Sequence, residues 1–370
     1  MTELERLIHE RISKSGPLPF AAFMQLALYD PRWGYYAGGG RRSGWGGHFL
    51  TSPELDPAYG LLWGQAFERV WEECGRPDQF AVIEIGPGEG GFAEAVLTSA
   101  TGSFAQALRY TLVERVPAVE ERQRARLEGL AASWARSTAE VPTAPHGVVF
   151  ANEILDNLPV HVVERRDGEL MEVCVDSEGD HLVESVRPPA GPELARWVEW
   201  AEAALPEGHR FEVTMAARSF VAHCAAAFEI GALVLVDYGA ESRDLAERPG
   251  GTLVTYSERG PGGDPLERAG LQDITAHANW TVVRKACAAH GLEPRGPALQ
   301  RHVLKALGAD ALDAKLREEH EGALSEGRGL DAVRALSRRG ALGVLQDEGG
   351  LGGLGVMTGT RGVPPNALLG

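Results

Sequence analysis

The chain has 370 residues and no run of 18 or more apolar residues, so no membrane-spanning helix is expected. It has only four cysteines, Cys74, Cys174, Cys224 and Cys287, and none forms a C-x-x-C pair. That spacing gives neither a zinc site nor a disulfide framework, and no metal is expected. The first residues, MTELERLIHERISKSG, are charged and amphipathic without an apolar h-region, so no secretory signal is expected. A reduced, cytoplasmic compartment fits this cysteine usage. Basic residues are outnumbered, 36 against 52 acidic, giving a formal charge of −16. Such a balance argues against nucleic acid as a partner. It leaves room for a basic partner, although acidic surfaces mostly serve solubility. There is no internal repeat. The oligomeric state is left open.

What is present is an alternation of short apolar runs with helical patterns. Apolar positions at helical spacing fill residues 1–30 in two groups, broken at Gly16–Pro17. An aromatic, glycine-rich stretch follows, and Asp56–Pro57 reads as the start of a helix running to about Gly75. FAVIEIG, LRYTLVE, HGVVFANE and GALVLVDYG read as buried strands, separated by helical segments. Residues 160–184 instead alternate, with Asp-Gly and Glu-Gly turns, and predict antiparallel strands. The last third predicts helices at 280–290 and 298–340 and a final strand LGVMTGT.

This pattern predicts an α/β fold with a mostly parallel, doubly wound sheet. Four segments are expected: a helical extension with a glycine-rich loop at 1–75, the first part of the parallel-sheet core at 76–160, an insertion of antiparallel strands and helices at 161–230, and the rest of the core with C-terminal helices at 231–370. In such sheets ligands bind beyond the C-terminal strand ends at the switch point. The first strand's glycine turn, Glu114, Asn152 and Asp237 fall at strand ends and are expected to converge.

Gly86-Pro87-Gly88-Glu89-Gly90-Gly91 fits both G-x-G-x-G and the dinucleotide pattern G-x-G-x-x-G. Glycine turns also arise merely to let a helix pack closely. Glu84, two residues before the first glycine, would repel a pyrophosphate at the helix N-terminus. It could accept instead from the α-amino group of S-adenosylmethionine. Glu114 ends the next strand, where an acid can bind both hydroxyls of a ribose. The turn therefore points to S-adenosylmethionine ahead of a nicotinamide dinucleotide.

Larger blocks carry a resemblance. GPLPFAAFMQLALYDPRWGYY, HFLTSPEL, VIEIGPGEGGF, FANEILDNLPVH, LVDYG and LQDITAHANW, spread from about residue 15 to residue 305, resemble the MidA family in its own order. These are class I methyltransferases whose mitochondrial members assist assembly of respiratory complex I. The resemblance implies a Rossmann-like sheet, an N-terminal extension capping the cofactor, an insertion with extra strands, and methylation of a protein arginine guanidinium. The chain departs from the family pattern at Gly47-His48-Phe49, at Glu89, where the family has a basic residue, at Asn279-Trp280, and over its last 60 residues.

Methyl transfer to a guanidinium needs groups that hold the nucleophile on axis and take its proton. The ANEILDNLPVH block offers Asn152 as an acceptor of a substrate N–H, Glu153 and Asp156 as gripping carboxylates on one face if a helical turn begins here, and His161 as a proton acceptor. The bland alternative is that Asn152 caps this turn, the two acids favour a helix N-terminus, and His161 is a half-buried strand residue. Thr51 and Ser52 could reach the cofactor, with Tyr35, Tyr36 and Phe49 as its shield, or Thr51 to Glu54 could form a capping box. Asp237 could orient the substrate or satisfy backbone N–H groups. Thr275 and His277 resemble a family block near the substrate, although a lone histidine there is more often structural. The expected partner is a protein or peptide substrate. A small-molecule acceptor and a weakly catalytic assembly factor remain as alternatives.

Overall fold

The structure, a computed structural model, describes residues 1–37 and 51–368. Two compact units emerge, one comprising Ser43–Asn152, His223–Val236 and Cys287–Gly370, the other Met1–Arg42, Glu153–Ala222 and Asp237–Ala286. Residues 1–42 group with 153–222 and 237–286, and the last third of the chain divides between the two units.

The first unit is built on a seven-stranded sheet: β1 (Phe80–Ile85), β2 (Leu108–Val113), β3 (Ala132–Ala135), β4 (Ala144–Asn152), β5 (Phe228–Asp237), β6 (Glu293–Leu299) and β7 (Gly355–Arg361). Their spatial order is β6-β7-β5-β4-β1-β2-β3. β5, β4, β1, β2 and β3 pair in parallel, and β6 pairs antiparallel with β7. The mostly parallel α/β sheet is the expected one. β1 is almost continuously buried, as a strand covered on both faces must be. The order reverses between β1 and β4, which makes their C-terminal ends the switch point. β3 and β6 are additions to the sequence reading; ASWA and EPRGPAL are short, half-exposed edge strands without a strong apolar run.

The helix Ala58–Glu73 lies close against the helix Gly91–Ser99. A Cβ on Gly60 would stand 2.6 Å from Ala95 Cβ, so only glycine allows this approach. Tyr59, Trp63, Phe67, Phe92 and Phe150 form the aromatic core beneath, with Phe92 and Phe150 stacked at 4.4 Å. The expected cap is altered in detail: Pro57 stands at the N-cap position, while the Asp56 carboxylate accepts from Ala58 N at 2.8 Å.

The second unit holds the antiparallel insertion. His161–Arg166, Glu169–Glu178 and His181–Arg187 form a meander, extended by Arg210–Val213 and by Leu18–Pro19. Asp167 and Gly168 both have positive φ, 54° and 78°, the backbone of a two-residue hairpin turn. The helix Glu3–Ser15 starts with a complete Thr2/Glu5 capping box. A small sheet of Val254–Ser257, Gly260–Pro261 and Asp273–Thr275 completes the unit.

Candidate active site

In the sheet unit, the turn after β1 takes the conformation its glycines permit, with φ of 64° at Gly86, 52° at Gly88 and 80° at Gly90. A chain of side chains fixes it. Gln123, fully buried, donates from Nε2 to the Gly88 carbonyl at 2.7 Å and to Glu114 Oε2 at 3.2 Å, and accepts from Trp134 Nε1 at 3.0 Å. Gln123 therefore ties the turn to the acid just beyond β2. Nothing in the sequence marked it, because a glutamine in a charged helix carries no periodic or motif signal. Glu114 Oε1 also accepts from Val116 N at 2.8 Å, and burial raises its carboxyl above the usual range. Replacing Gln123 by Leu is expected to weaken S-adenosylmethionine binding about tenfold, read by calorimetry, because turn and acid are no longer held together.

Glu84 is buried in β1, and Tyr110 donates to its Oε2 at 2.7 Å. Desolvation pushes its carboxyl up to about 8, against the lowering effect of Tyr110. At neutral pH without a ligand it is mostly a neutral acid, which repels no diphosphate. The charge argument against a dinucleotide therefore falls. A carboxyl raised in the folded state favours folding fully below its unfolded value, about 4.3, and loses that contribution as pH rises to about 8. Glu84→Gln is thus expected to flatten the fall in unfolding free energy between pH 5 and pH 8, measured by urea denaturation. An unchanged slope would refute it.

Glu89, at the family's basic position, accepts a two-pronged hydrogen bond from Arg122, at 3.0 and 2.8 Å. Ser52 is fully buried and accepts from Gln300 Nε2 at 2.9 Å. Thr51 is the N-cap residue of Ser52–Leu55 but its side chain makes no cap bond, so the capping box is not formed. Asn152 ends β4, 2.9 Å from the Tyr59 hydroxyl.

The other unit holds a cluster of acids. No helical turn begins at Glu153, contrary to that expectation. Glu153 has φ of 52°, and Asp237 Oδ2 accepts from the backbone of Leu155 at 2.8 Å and Asp156 at 3.2 Å, taking the N–H groups a helix would have needed to cap. A left-handed glutamate stores strain of the kind concentrated at functional sites. Asp237 Oδ1 accepts from Tyr238 N at 2.8 Å, so the backbone role expected for it is real. Tyr238 donates its hydroxyl to Glu153 Oε2 at 3.1 Å.

Asp156 is the exceptional member. It is 5% exposed, and its Oδ1 has no hydrogen-bond partner among the described residues. Burial, then Asp237, Asp273 and Glu153, hold its carboxyl well above the normal range. Burial and Glu153 likewise raise Asp237 to about 8. Tyr36 lies 2.9 Å from Asp273 Oδ2 and 3.0 Å from Asn157 Oδ1, and Asn157 Nδ2 donates to Asp273 Oδ1 at 3.0 Å. Burying so many acids is unfavourable unless something cationic arrives.

The remaining candidates divide plainly. His161 opens a strand and pairs with Glu172 at 2.7 Å, outside the acid cluster. Burial and Arg248 depress His277 to about 4, leaving it neutral, and Thr275 donates to the Val254 carbonyl at 3.3 Å. Asn279 accepts from Ser242 at 2.9 Å and from Val282 N at 3.2 Å, a local structural role. Tyr35 is fully buried and packs edge-on against Tyr36 at 5.0 Å. His48 and Phe49 lie outside the described residues. Asp273 and Asn157 carry no signal of their own in the sequence, because their pairing needs residues 116 apart to meet.

Residues 62–298 match the family described as "Putative S-adenosyl-L-methionine-dependent methyltransferase". A Burkholderia thailandensis protein solved with S-adenosyl-homocysteine bound superposes with a TM-score of 0.85 at 29% identity, covering 98% of this chain and 92% of that one. A native structure from the same organism gives 0.81 at 27% identity, with the same coverage. The Danio rerio mitochondrial protein arginine methyltransferase NDUFAF7 is 28% identical over 342 residues, 81% of this chain and 75% of its own length. The Drosophila melanogaster homologue is 32% identical over 198 residues, 47% of this chain and 44% of its own length.

Proposed function

Because the chain belongs to the S-adenosylmethionine-dependent methyltransferase family, we propose that the nitrogen it methylates is the guanidinium of an arginine in a protein or peptide. The observation that carries this reading is the Asp156 carboxyl oxygen, buried without a partner among the described residues, beside Glu153, Asp237 and Asp273. A guanidinium offers five N–H donors and a delocalised charge to such a set, which an amine or hydroxyl does not match. The names of the Danio rerio and Drosophila melanogaster relatives support the same acceptor.

The residues fit the cofactor. The positive-φ glycine turn gives room for close approach, Gln123 holds it against Glu114 for a ribose, and the buried Glu84 suits an α-amino group. Bound S-adenosylmethionine supplies an electrophilic methyl on its sulfonium. Asn152 accepts an N–H of the nucleophilic nitrogen and sets its lone pair. Glu153 and Asp156 hold the guanidinium and offset its charge. With the cofactor bound, a carboxylate of the cluster would take the proton that the nitrogen loses on methylation. A reducing, cytoplasmic location belongs to this reading, from the wide spacing of the four cysteines in the sequence. Recovery in an oxidising compartment would refute that part.

Incubation with methyl-labelled S-adenosylmethionine and lysate, followed by acid hydrolysis of the protein fraction, tests the acceptor. Methylarginine in that fraction is expected. Label confined to small molecules, or client capture with no labelled product, would overturn it.

A further inference from the structure

Among the described residues of the unit that holds the acid cluster, two large apolar side chains away from the chain terminus stand open to solvent: Trp33, 40% exposed, and Leu271, 47% exposed. The fold brings their backbones together. Gly270 takes a φ of 83°, and a Cβ on it would stand 2.1 Å from the Trp33 carbonyl oxygen, so only glycine lets the chain before Leu271 lie against the turn that carries Trp33. That turn is fixed. Asp30 Oδ1 accepts from the backbone N–H groups of Arg32 and Trp33, both at 3.0 Å, and the Asp30 carbonyl accepts from Gly34 N at 3.0 Å. Trp33 is held out rather than folded in.

The pair adjoins the acid cluster along both stretches of chain. Leu271 is two residues before Asp273, and Trp33 is three before Tyr36, whose hydroxyl lies 2.9 Å from Asp273 Oδ2. At about 3.6 Å per residue at most, those backbones separate the apolar pair from Asp273 and Tyr36 by no more than about 7 to 11 Å between Cα atoms. An extended peptide advances about 3.3 Å per residue, so the same gap equals two or three residues of a bound chain. A polypeptide whose arginine enters the cluster therefore brings its neighbouring side chains within reach of Trp33 and Leu271. An ordered, exposed tryptophan suits an interface, since its ordering is already done and tryptophan is among the side chains that contribute most to binding. The Arg32 guanidinium lies 5.8 Å from the centre of the Trp33 ring, so a second cation is disfavoured there and an uncharged apolar side chain is not.

We infer that Trp33 and Leu271 form a docking surface for an apolar side chain two or three residues from the arginine of the substrate polypeptide. The acids take the charge and the apolar pair takes the neighbour, so the enzyme reads a short sequence rather than any exposed arginine. This inference rests on the reading of an arginine-bearing polypeptide as the acceptor.

Two synthetic nonapeptides test it. Both carry a central arginine among glycine and serine, and one also has leucine at the second and third positions on each side of the arginine. Calorimetry gives their Kd values for the full-length protein saturated with S-adenosylhomocysteine. The leucine peptide is expected to bind the wild type about tenfold or more tightly than the leucine-free one, and Trp33→Ala or Leu271→Ser to bring that ratio to about twofold or less. Thermal unfolding reports whether each variant folds, and either one suffices. Equal binding of the two peptides, no binding of either, or a ratio unchanged in the variants would overturn the docking surface. A wild-type dimer that Trp33→Ala dissociates, read by sedimentation, would overturn it too, since a second copy would then cover the pair. A leucine preference without methylarginine in the bound peptide would sink the arginine-acceptor reading and leave the docking surface standing, and methylarginine without a leucine preference would do the reverse.

Discussion

Glu153→Gln is expected to reduce methyl transfer about a thousandfold while S-adenosylmethionine affinity changes less than tenfold. The substitution keeps the shape and can still accept from Tyr238, whose hydroxyl lies 3.1 Å from Glu153 Oε2. What disappears is the negative charge, and with it the ability to offset a guanidinium's charge or take its proton. Electrostatic stabilisation and proton transfer are each worth about a hundredfold or more. Cofactor affinity should hold because the glycine turn, Gln123 and Glu114 are untouched. The backbone at Glu153, at φ 52°, is strained for glutamine as well, so stability should move little. Single-turnover kinetics and calorimetry on the same sample make the comparison, and wild-type rates would remove Glu153 from the mechanism.

Asp156→Asn is expected to stabilise the protein and to impair it. Burial and three neighbouring acids disfavour the ionised carboxyl, and one of its oxygens has no described partner. A neutral amide removes that repulsion, so unfolding free energy at pH 8 should rise by about 1–3 kcal/mol. The sign follows from the upward shift: the native-state penalty is absent below about pH 4 and grows as pH climbs. The gain should therefore vanish near pH 4. In the assay, KM for the acceptor should rise about tenfold to a hundredfold, the worth of one charged hydrogen bond. Destabilisation at pH 8 would show that Asp156 is a structural acid held by contacts of its own.

The sheet itself was legible in the sequence. FAVIEIG and GALVLVDYG are too apolar and too short to be anything but covered strands, and the helical stretches between them leave parallel pairing as the economical arrangement. The insertion was equally legible, since period-2 alternation with Asp-Gly at its turn specifies a hairpin locally. The helical turn at Glu153 was misread because spacing three apart looks helical until a remote carboxylate, Asp237, claims the backbone N–H groups of Leu155 and Asp156. Glu84 was misread in its charge, because a strand position does not reveal that desolvation leaves the acid neutral near pH 7.

The sequence by itself determined which segments are strands, where the glycine turn bends, and which acids stand at strand ends, because periodicity and backbone permission are local properties. Only the tertiary structure decided which of those acids are ionised, which partners hold them, and that Gln123 matters at all. Protonation and hydrogen bonding depend on burial and on neighbours brought from far along the chain, and no spacing of letters encodes those distances.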